Sequence, residues 1–132
     1  MNGKVAIDVV LRAVDDRSTA QPYGDGVLID LPLTYCDGDA VRLLVEPVSD
    51  GYRVTDRAAA ATLLSLAGVD LDHGRLAGAI TEAARLSGLN SINEASGELV
   101  AYGTEQKLGE LILAVALAST GLEQRRVVHC YR

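Results

Sequence analysis

The sequence predicts an α+β fold: an antiparallel β-meander with helices packed on it, a small second hairpin and a C-terminal helix. Three apolar, β-branched segments lie between residues 27 and 55 and are separated by Asp-Gly turns, as in strands joined by tight reversals. Elsewhere, apolar residues recur every three or four positions, the spacing of amphipathic helices. The 132 residues match the common size of one domain, so we expect a single domain over residues 1–132.

The meander follows a first helix predicted at residues 4–14 and a polar loop predicted at residues 15–26. Its strands are predicted at Val27–Leu31, Ala40–Glu46 and Tyr52–Thr55. Two turn sequences separate these strands: Asp37-Gly38-Asp39 and Ser49-Asp50-Gly51. Because both contain Asp-Gly between alternating apolar segments, we expect consecutive strands to pair antiparallel.

Capping residues bound the helix predicted next, at residues 57–67. Asp56 suits the N-cap, where a carboxylate accepts backbone N–H groups, and Gly68 suits the left-handed position after the last turn. The remaining predicted elements are a helix at residues 75–86, a small hairpin with arms at residues 89–92 and 98–102, and a last helix that begins after Thr104.

The predicted last helix is apolar almost all round between Leu111 and Ala118. A helix on the surface of a monomer normally exposes one polar face, so this helix is either central in the core or an interface between copies of the chain. The second alternative predicts a homo-oligomer, for example a dimer, with these interface residues: Leu108, Leu111, Ile112 and Val115.

The overall charge narrows the classes of partner. The net charge is −6 and the isoelectric point about 4.8, with the whole acidic excess in residues 1–72. Proteins that bind nucleic acid backbones carry a basic patch, so we expect no nucleic acid partner. The longest apolar run is far shorter than the roughly 20 residues of a membrane span, and no signal peptide pattern opens the sequence. With only two distant cysteines, Cys36 and Cys130, we expect a cytoplasmic protein with reduced thiols.

Acidic residues form the one dense set of reactive groups. If Asp37, Asp39 and Asp56 converged at one end of the meander, they could bind a divalent cation, as in metal-dependent hydrolases. Turn formation and helix capping explain each of these residues equally well and are the favoured interpretation. No glycine-rich nucleotide-binding motif and no recognisable nucleophile with its base is present. We therefore expect no cofactor and no metal.

The order of these features resembles the phage and bacterial family catalogued as domain of unknown function 1828. The resemblance covers roughly residues 26–120 and rests on the following segments: Leu31-Pro32, Tyr35-Cys36-Asp37-Gly38-Asp39, Val41 to Val45, Asp50-Gly51, Val54-Thr55-Asp56 and Leu66-Ala67-Gly68-Val69. After Asp56 the family usually has an acidic residue and Gly, where this chain has Arg57 and Ala58. The resemblance implies a phage or mobile-element setting and no established activity.

These observations together predict a non-catalytic phage or mobile-element protein that binds another protein, with inhibition of a host defence system as a specific version. The predicted binding residues lie at the turns and at the helix cap: Tyr35, Asp37, Asp39, Asp50, Asp56 and Arg57. The alternative is a divalent-metal-dependent hydrolase that uses Asp37, Asp39 and Asp56.

Overall fold

A computed structural model describes residues 2–69, 78, 79, 81, 82, 85 and 97–125 and confirms the predicted α+β class. The described elements, in chain order, are α1 Gly3–Arg17, β1 Thr19–Tyr23, β2 Gly26–Thr34, β3 Ala40–Val48, β4 Gly51–Thr55, α2 Ala59–Leu66, β5 Val100–Gly103, a 3-10 turn Glu105–Lys107 and α3 Leu108–Glu123. None of the described helices is long and apolar enough to cross a membrane.

The described strands form one antiparallel sheet in the order β1-β2-β3-β4-β5, which is a meander. The prediction of a loop over residues 15–26 is wrong, because α1 extends to Arg17 and Thr19–Tyr23 pairs with β2. All five residues of β1 are exposed, so this strand lacks the buried alternation by which strands are recognised. Pro22 is tolerated there because β1 lies at the edge of the sheet.

The second arm of the predicted small hairpin belongs to the main sheet. Val100–Gly103 pairs with β4, with Thr55 opposite Val100 and Tyr52 opposite Gly103. The main sheet thus gains a fifth strand, and β5 covers the edge that β4 would otherwise expose. The other arm, at residues 89–92, lies outside the described residues. Within the helix predicted at residues 75–86, the five described positions are helical.

The helix after β4 begins two residues later than predicted. Arg57 and Ala58 have φ angles of 56° and 61°, and the helical turns start at Ala59. The Asp56 side chain accepts a hydrogen bond from the Ala58 backbone N–H at 2.9 Å. Asp56 therefore caps the turn that leads into α2 and is not the N-cap of the helix itself. Gly68, with φ of 80°, ends the helix as predicted.

The hydrophobic core lies between one face of the sheet and the two helices α2 and α3. Val115 and Leu122 of α3 are fully buried against sheet residues such as Leu43 and Val54. The structure thus places α3 in the core, the first of the two alternatives for this helix. Three of the predicted interface residues are partly buried on the same core: Leu108, Leu111 and Ile112. Self-association of the chain stays a prediction.

Helix α1 differs from α2 and α3 because none of its 15 residues is buried. It is longer than the predicted helix at residues 4–14, and its N-cap is Asn2, whose side chain accepts a hydrogen bond from the Val5 N–H at 2.9 Å. Its main contacts are with β2. The described part of the chain therefore contacts α1 without covering its apolar side chains.

Candidate binding cleft

A cleft of about 370 Å³ lies between the β2–β3 turn and the start of α2. Its lining residues are Tyr35, Asp39, Ala40, Arg42, Asp56, Arg57, Ala59, Thr62 and Leu63. Four of the six predicted binding residues therefore meet at this cleft: Tyr35, Asp39, Asp56 and Arg57. We call buried Tyr35 and Asp56 the floor, and exposed Asp39 and Arg57 the rim, together with Asp37, which does not line the cleft but accepts a hydrogen bond from Asp39.

The floor is built on a buried hydrogen-bond network that connects β2, β4 and α3. Ser119 of α3 donates its hydroxyl proton to Asp56 Oδ2 at 2.8 Å. The Tyr35 hydroxyl lies 2.7 Å from Ser119 Oγ. Since a serine hydroxyl has one proton and Ser119 gives it to Asp56, Tyr35 is the donor in this second bond. The side chains on the floor are thus fixed in orientation.

Asp56 accepts two further hydrogen bonds, from the backbone N–H groups of Leu99 at 3.0 Å and Ala58 at 2.9 Å. Its side chain thus links the end of β4 and the start of α2 to the approach to β5 and to α3, whose donors lie 43 and 63 positions further along the sequence. Burial nevertheless raises the pKa of Asp56 above its ordinary value, although the hydrogen bonds lower it. Burial also raises the pKa of Tyr35 to about 12. Tyr35 therefore stays protonated at neutral pH and keeps its role as donor.

A second buried carboxylate attaches the β2–β3 turn to α3. Glu123, at the end of α3, is fully buried, and its Oε2 accepts a hydrogen bond from the Cys36 backbone N–H at 3.0 Å. Cys36 itself is exposed, and Cys130 lies outside the described residues. Through this contact, α3 fixes the position of the turn that carries the acidic part of the rim.

The acidic part of the rim is shaped by local turn bonds. The Asp39 N–H donates to Asp37 Oδ1 at 2.9 Å, and the Tyr35 N–H donates to the Asp39 carbonyl at 2.9 Å. Gly38, with φ of 91°, supplies the left-handed residue that the turn requires. The charge of Asp37 raises the pKa of Asp39. Two neighbouring carboxylates thus face solvent together and favour a positively charged group of a partner.

The basic part of the rim is Arg57. Its guanidinium lies 5.0 Å above the ring of Tyr23 in β1, and its backbone N–H donates to Thr55 Oγ1 at 2.9 Å. Arg42, which also lines the cleft, is held by Asp30 through two hydrogen bonds of 2.6 and 2.9 Å. The bond from Arg42 lowers the pKa of Asp30. The charge of Arg42 is thus partly compensated within the sheet.

The remaining predicted site residues are not all at the cleft. Asp50 lies in the β3–β4 turn, beside a different cleft that includes Tyr52 and Tyr102. In the described part of the chain, no three Asp, Glu, His or Cys side chains are arranged to hold a metal ion. In particular, both oxygens of Asp56 already accept hydrogen bonds. The three carboxylates of the hydrolase alternative are therefore not gathered into one ligand set.

Ser119 and Glu123, which complete the buried network, are not among the predicted site residues. They lie four positions apart, on the same side of a helix that is otherwise apolar there. Polar side chains at core positions of a helix require buried partners. In the sequence, both residues lie at helical spacing from the apolar Val115 and Leu122, which indicates a buried position. The spacing did not reveal which groups they contact.

The fold and the cleft define this chain as an α+β domain with a five-stranded antiparallel meander among its described residues and a small charged cleft. No family model, no curated protein and no solved structure matches the chain. The resemblance to the domain of unknown function 1828 family thus rests on the sequence segments alone. The departure from that family at Arg57 and Ala58 coincides with the two left-handed residues before α2.

Proposed function

We propose that this chain is a non-catalytic domain that binds another protein, with the cleft as the binding site. The observation that carries the proposal is the contrast between the floor and the rim. The floor residues are buried and held by hydrogen bonds, whereas the rim carries exposed charges of both signs. A preformed concave surface with a few fixed polar groups is typical of a binding site.

The chemistry of the floor favours binding over catalysis. A general acid or base must reach the substrate and change its protonation state near the working pH. Tyr35 has a pKa of about 12 and donates a hydrogen bond to Ser119. Asp56 is 1% exposed, and its two oxygens accept three hydrogen bonds. Both residues support the cleft without a free group for proton transfer.

The charge of the chain supports a partner with a basic surface. The net charge is −6, and two carboxylates lie side by side on the rim. Opposite charges accelerate association and select partners. The family resemblance favours a phage or mobile-element protein that acts in the host cytoplasm. Inhibition of a host defence system is the specific version of this proposal.

Affinity capture from a lysate of the host cell tests the proposal when it is paired with two charge-matched variants. The rim variant is Asp37→Asn with Asp39→Asn. The control is Asp25→Asn with Asp50→Asn, which also removes two exposed turn carboxylates, but away from the cleft. We expect wild type and control to capture the same basic protein, and the rim variant to bind it about tenfold more weakly in a direct titration.

The proposal fails if the partner binds the rim variant as tightly as wild type, or if only the control loses it. The second result would move the binding site to the cleft beside Asp50. Binding of wild type should also weaken as salt is raised, since exposed charges are screened.

A further inference from the structure

Helix α1 presents a large apolar surface that the described part of the chain leaves uncovered. Its six large aliphatic side chains are each between 38% and 61% exposed: Val5, Ile7, Val9, Val10, Leu11 and Val14. Soluble proteins rarely expose so many neighbouring aliphatic side chains unless the surface serves an interaction. The surface lies on α1, separate from the cleft residues.

The helix also lacks the means to be stable by itself. Isolated helices of about 12–15 residues are marginal in water even when they are rich in alanine. Five of the 15 residues of α1 are β-branched and so favour helix less: Val5, Ile7, Val9, Val10 and Val14. The contacts of α1 with β2 leave these side chains exposed, so a surface that covers them would stabilise the helix.

The charges of α1 favour a second copy of this chain as that surface. The helix carries three basic residues, Lys4, Arg12 and Arg17, and three acidic residues, Asp8, Asp15 and Asp16. It is therefore neutral in a chain of net charge −6. Two copies can meet at α1 without charge repulsion there. A basic partner attracted by the net negative charge of the chain would find no excess negative charge on this helix.

The arrangement of those charges is complementary to itself when two helices run antiparallel. Lys4 and Asp15 are eleven residues apart, which is about three turns, so they lie within about 20° of each other around the helix. They flank one edge of an apolar face that includes Ile7 and Leu11. In an antiparallel pair with its two-fold axis near Val10, each Lys4 lies beside the Asp15 of the other copy.

We propose that α1 is a dimerisation helix that pairs antiparallel with α1 of a second copy. The apolar side chains around Val10 form the centre of the contact, and the two Lys4–Asp15 pairs close its edges. This arrangement is isologous, so the same residues serve both copies and the assembly stops at two. The proposal is independent of the binding function of the cleft.

A charge-swap experiment tests both the dimer and its orientation. Light scattering should give wild type a mass of twice 13.9 kDa. Lys4→Glu and Asp15→Lys should each raise the dimer dissociation constant about tenfold in sedimentation equilibrium, and the double variant should restore it. Within one helix the two side chains are about 16 Å apart along the axis. Restoration can therefore arise only between copies.

Both single substitutions place a favourable charge at the corresponding end of the helix dipole, but each also creates a like-charge pair within α1, with Asp8 or with Arg12. The double variant keeps both of these intrahelical pairs, so recovery of its dimer reports the contact between copies and not the stability of the helix. A matched pair of apolar variants locates the contact. Val10→Asp should yield a monomer, whereas Leu113→Asp should leave the dimer intact, although Leu113 of α3 is 58% exposed. A wild-type mass of 13.9 kDa at 100 µM protein would overturn the proposal. So would a double variant whose dimer is not restored, or a dimer that dissociates with Leu113→Asp and not with Val10→Asp.

Discussion

Ser119 of α3 donates a hydrogen bond of 2.8 Å to Asp56, although the two residues are 63 positions apart in the sequence. Both side chains are buried. Asp56 also accepts two backbone N–H groups, so a single carboxylate holds the last helix, the fifth strand and the start of α2 around the cleft. Asp56, a residue in a turn, thus connects three segments of the fold through its side chain.

The first prediction concerns the stability that this carboxylate provides. Asp56→Ala leaves two buried donors and one partly buried donor without an acceptor, and each unsatisfied buried donor costs about 1–3 kcal/mol. We expect the free energy of unfolding, measured by urea denaturation, to fall by about 3 kcal/mol. Asp16→Ala, on the exposed surface of α1, should change it by less than about 0.5 kcal/mol. Equal effects of the two substitutions would contradict the role of Asp56.

The second prediction is a pH dependence of stability. Burial raises the pKa of Asp56, so the folded state retains the proton at pH values where the unfolded chain has already lost it. The contribution of Asp56 to the free energy of unfolding therefore falls as pH rises above the unfolded pKa of about 4. We measure the free energy of unfolding of wild type and of Asp56→Asn by urea denaturation at several pH values. The wild-type value minus the Asp56→Asn value should decrease from pH 4 upward. A difference that increases with pH would mean that the pKa is lowered.

The third prediction tests the hydrogen bond between Tyr35 and Ser119. Tyr35→Phe removes the donor and Ser119→Ala removes the shared hydroxyl, so the two changes affect one network. We expect each to lower the free energy of unfolding by about 1 kcal/mol or more, and the double variant to lose less than the sum. Strict additivity in this double-mutant cycle would show that the two hydroxyl groups are not coupled.

The fourth prediction concerns the left-handed residues before α2. Ala58 has φ of 61°, a conformation that costs residues with a Cβ atom about 1–2 kcal/mol and costs glycine nothing. Ala58→Gly should therefore raise the free energy of unfolding by up to about 1 kcal/mol. Ala61→Gly, inside α2, is the matched control and should lower it by about 1 kcal/mol. If both substitutions lower the free energy of unfolding, relief of the left-handed conformation does not determine the effect of Ala58→Gly.

The sequence predicted those parts of the fold that depend on local chemistry. The turns at Asp37-Gly38 and Asp50-Gly51 were predictable because their residue types suit tight reversals. Strand β1 was missed because all its residues are exposed, and the pairing of β5 with β4 was missed because it joins segments about 45 residues apart. Such contacts are set by the packing of the whole chain and leave no local signal.

The candidate site was predictable to a similar degree. Tyr35, Asp39, Asp56 and Arg57 could be selected from the turn and cap sequences, and they do line one cleft. Asp56, expected to be either a cap or a metal ligand, is a buried acceptor because Leu99 and Ser119 bring their donors to it. Those partners lie in distant segments, so only the folded structure reveals the role.

Calorimetric titration with Mn²⁺ tests the part of the central claim that separates a binding cleft from a catalytic metal site. Wild type should give only the heat of dilution at up to millimolar Mn²⁺, because Asp56 is occupied by hydrogen bonds and the exposed Asp37 and Asp39 have no third ligand among the residues that the structure describes. One-to-one binding of Mn²⁺ that is abolished by Asp39→Asn would contradict the account and favour the metal-dependent hydrolase.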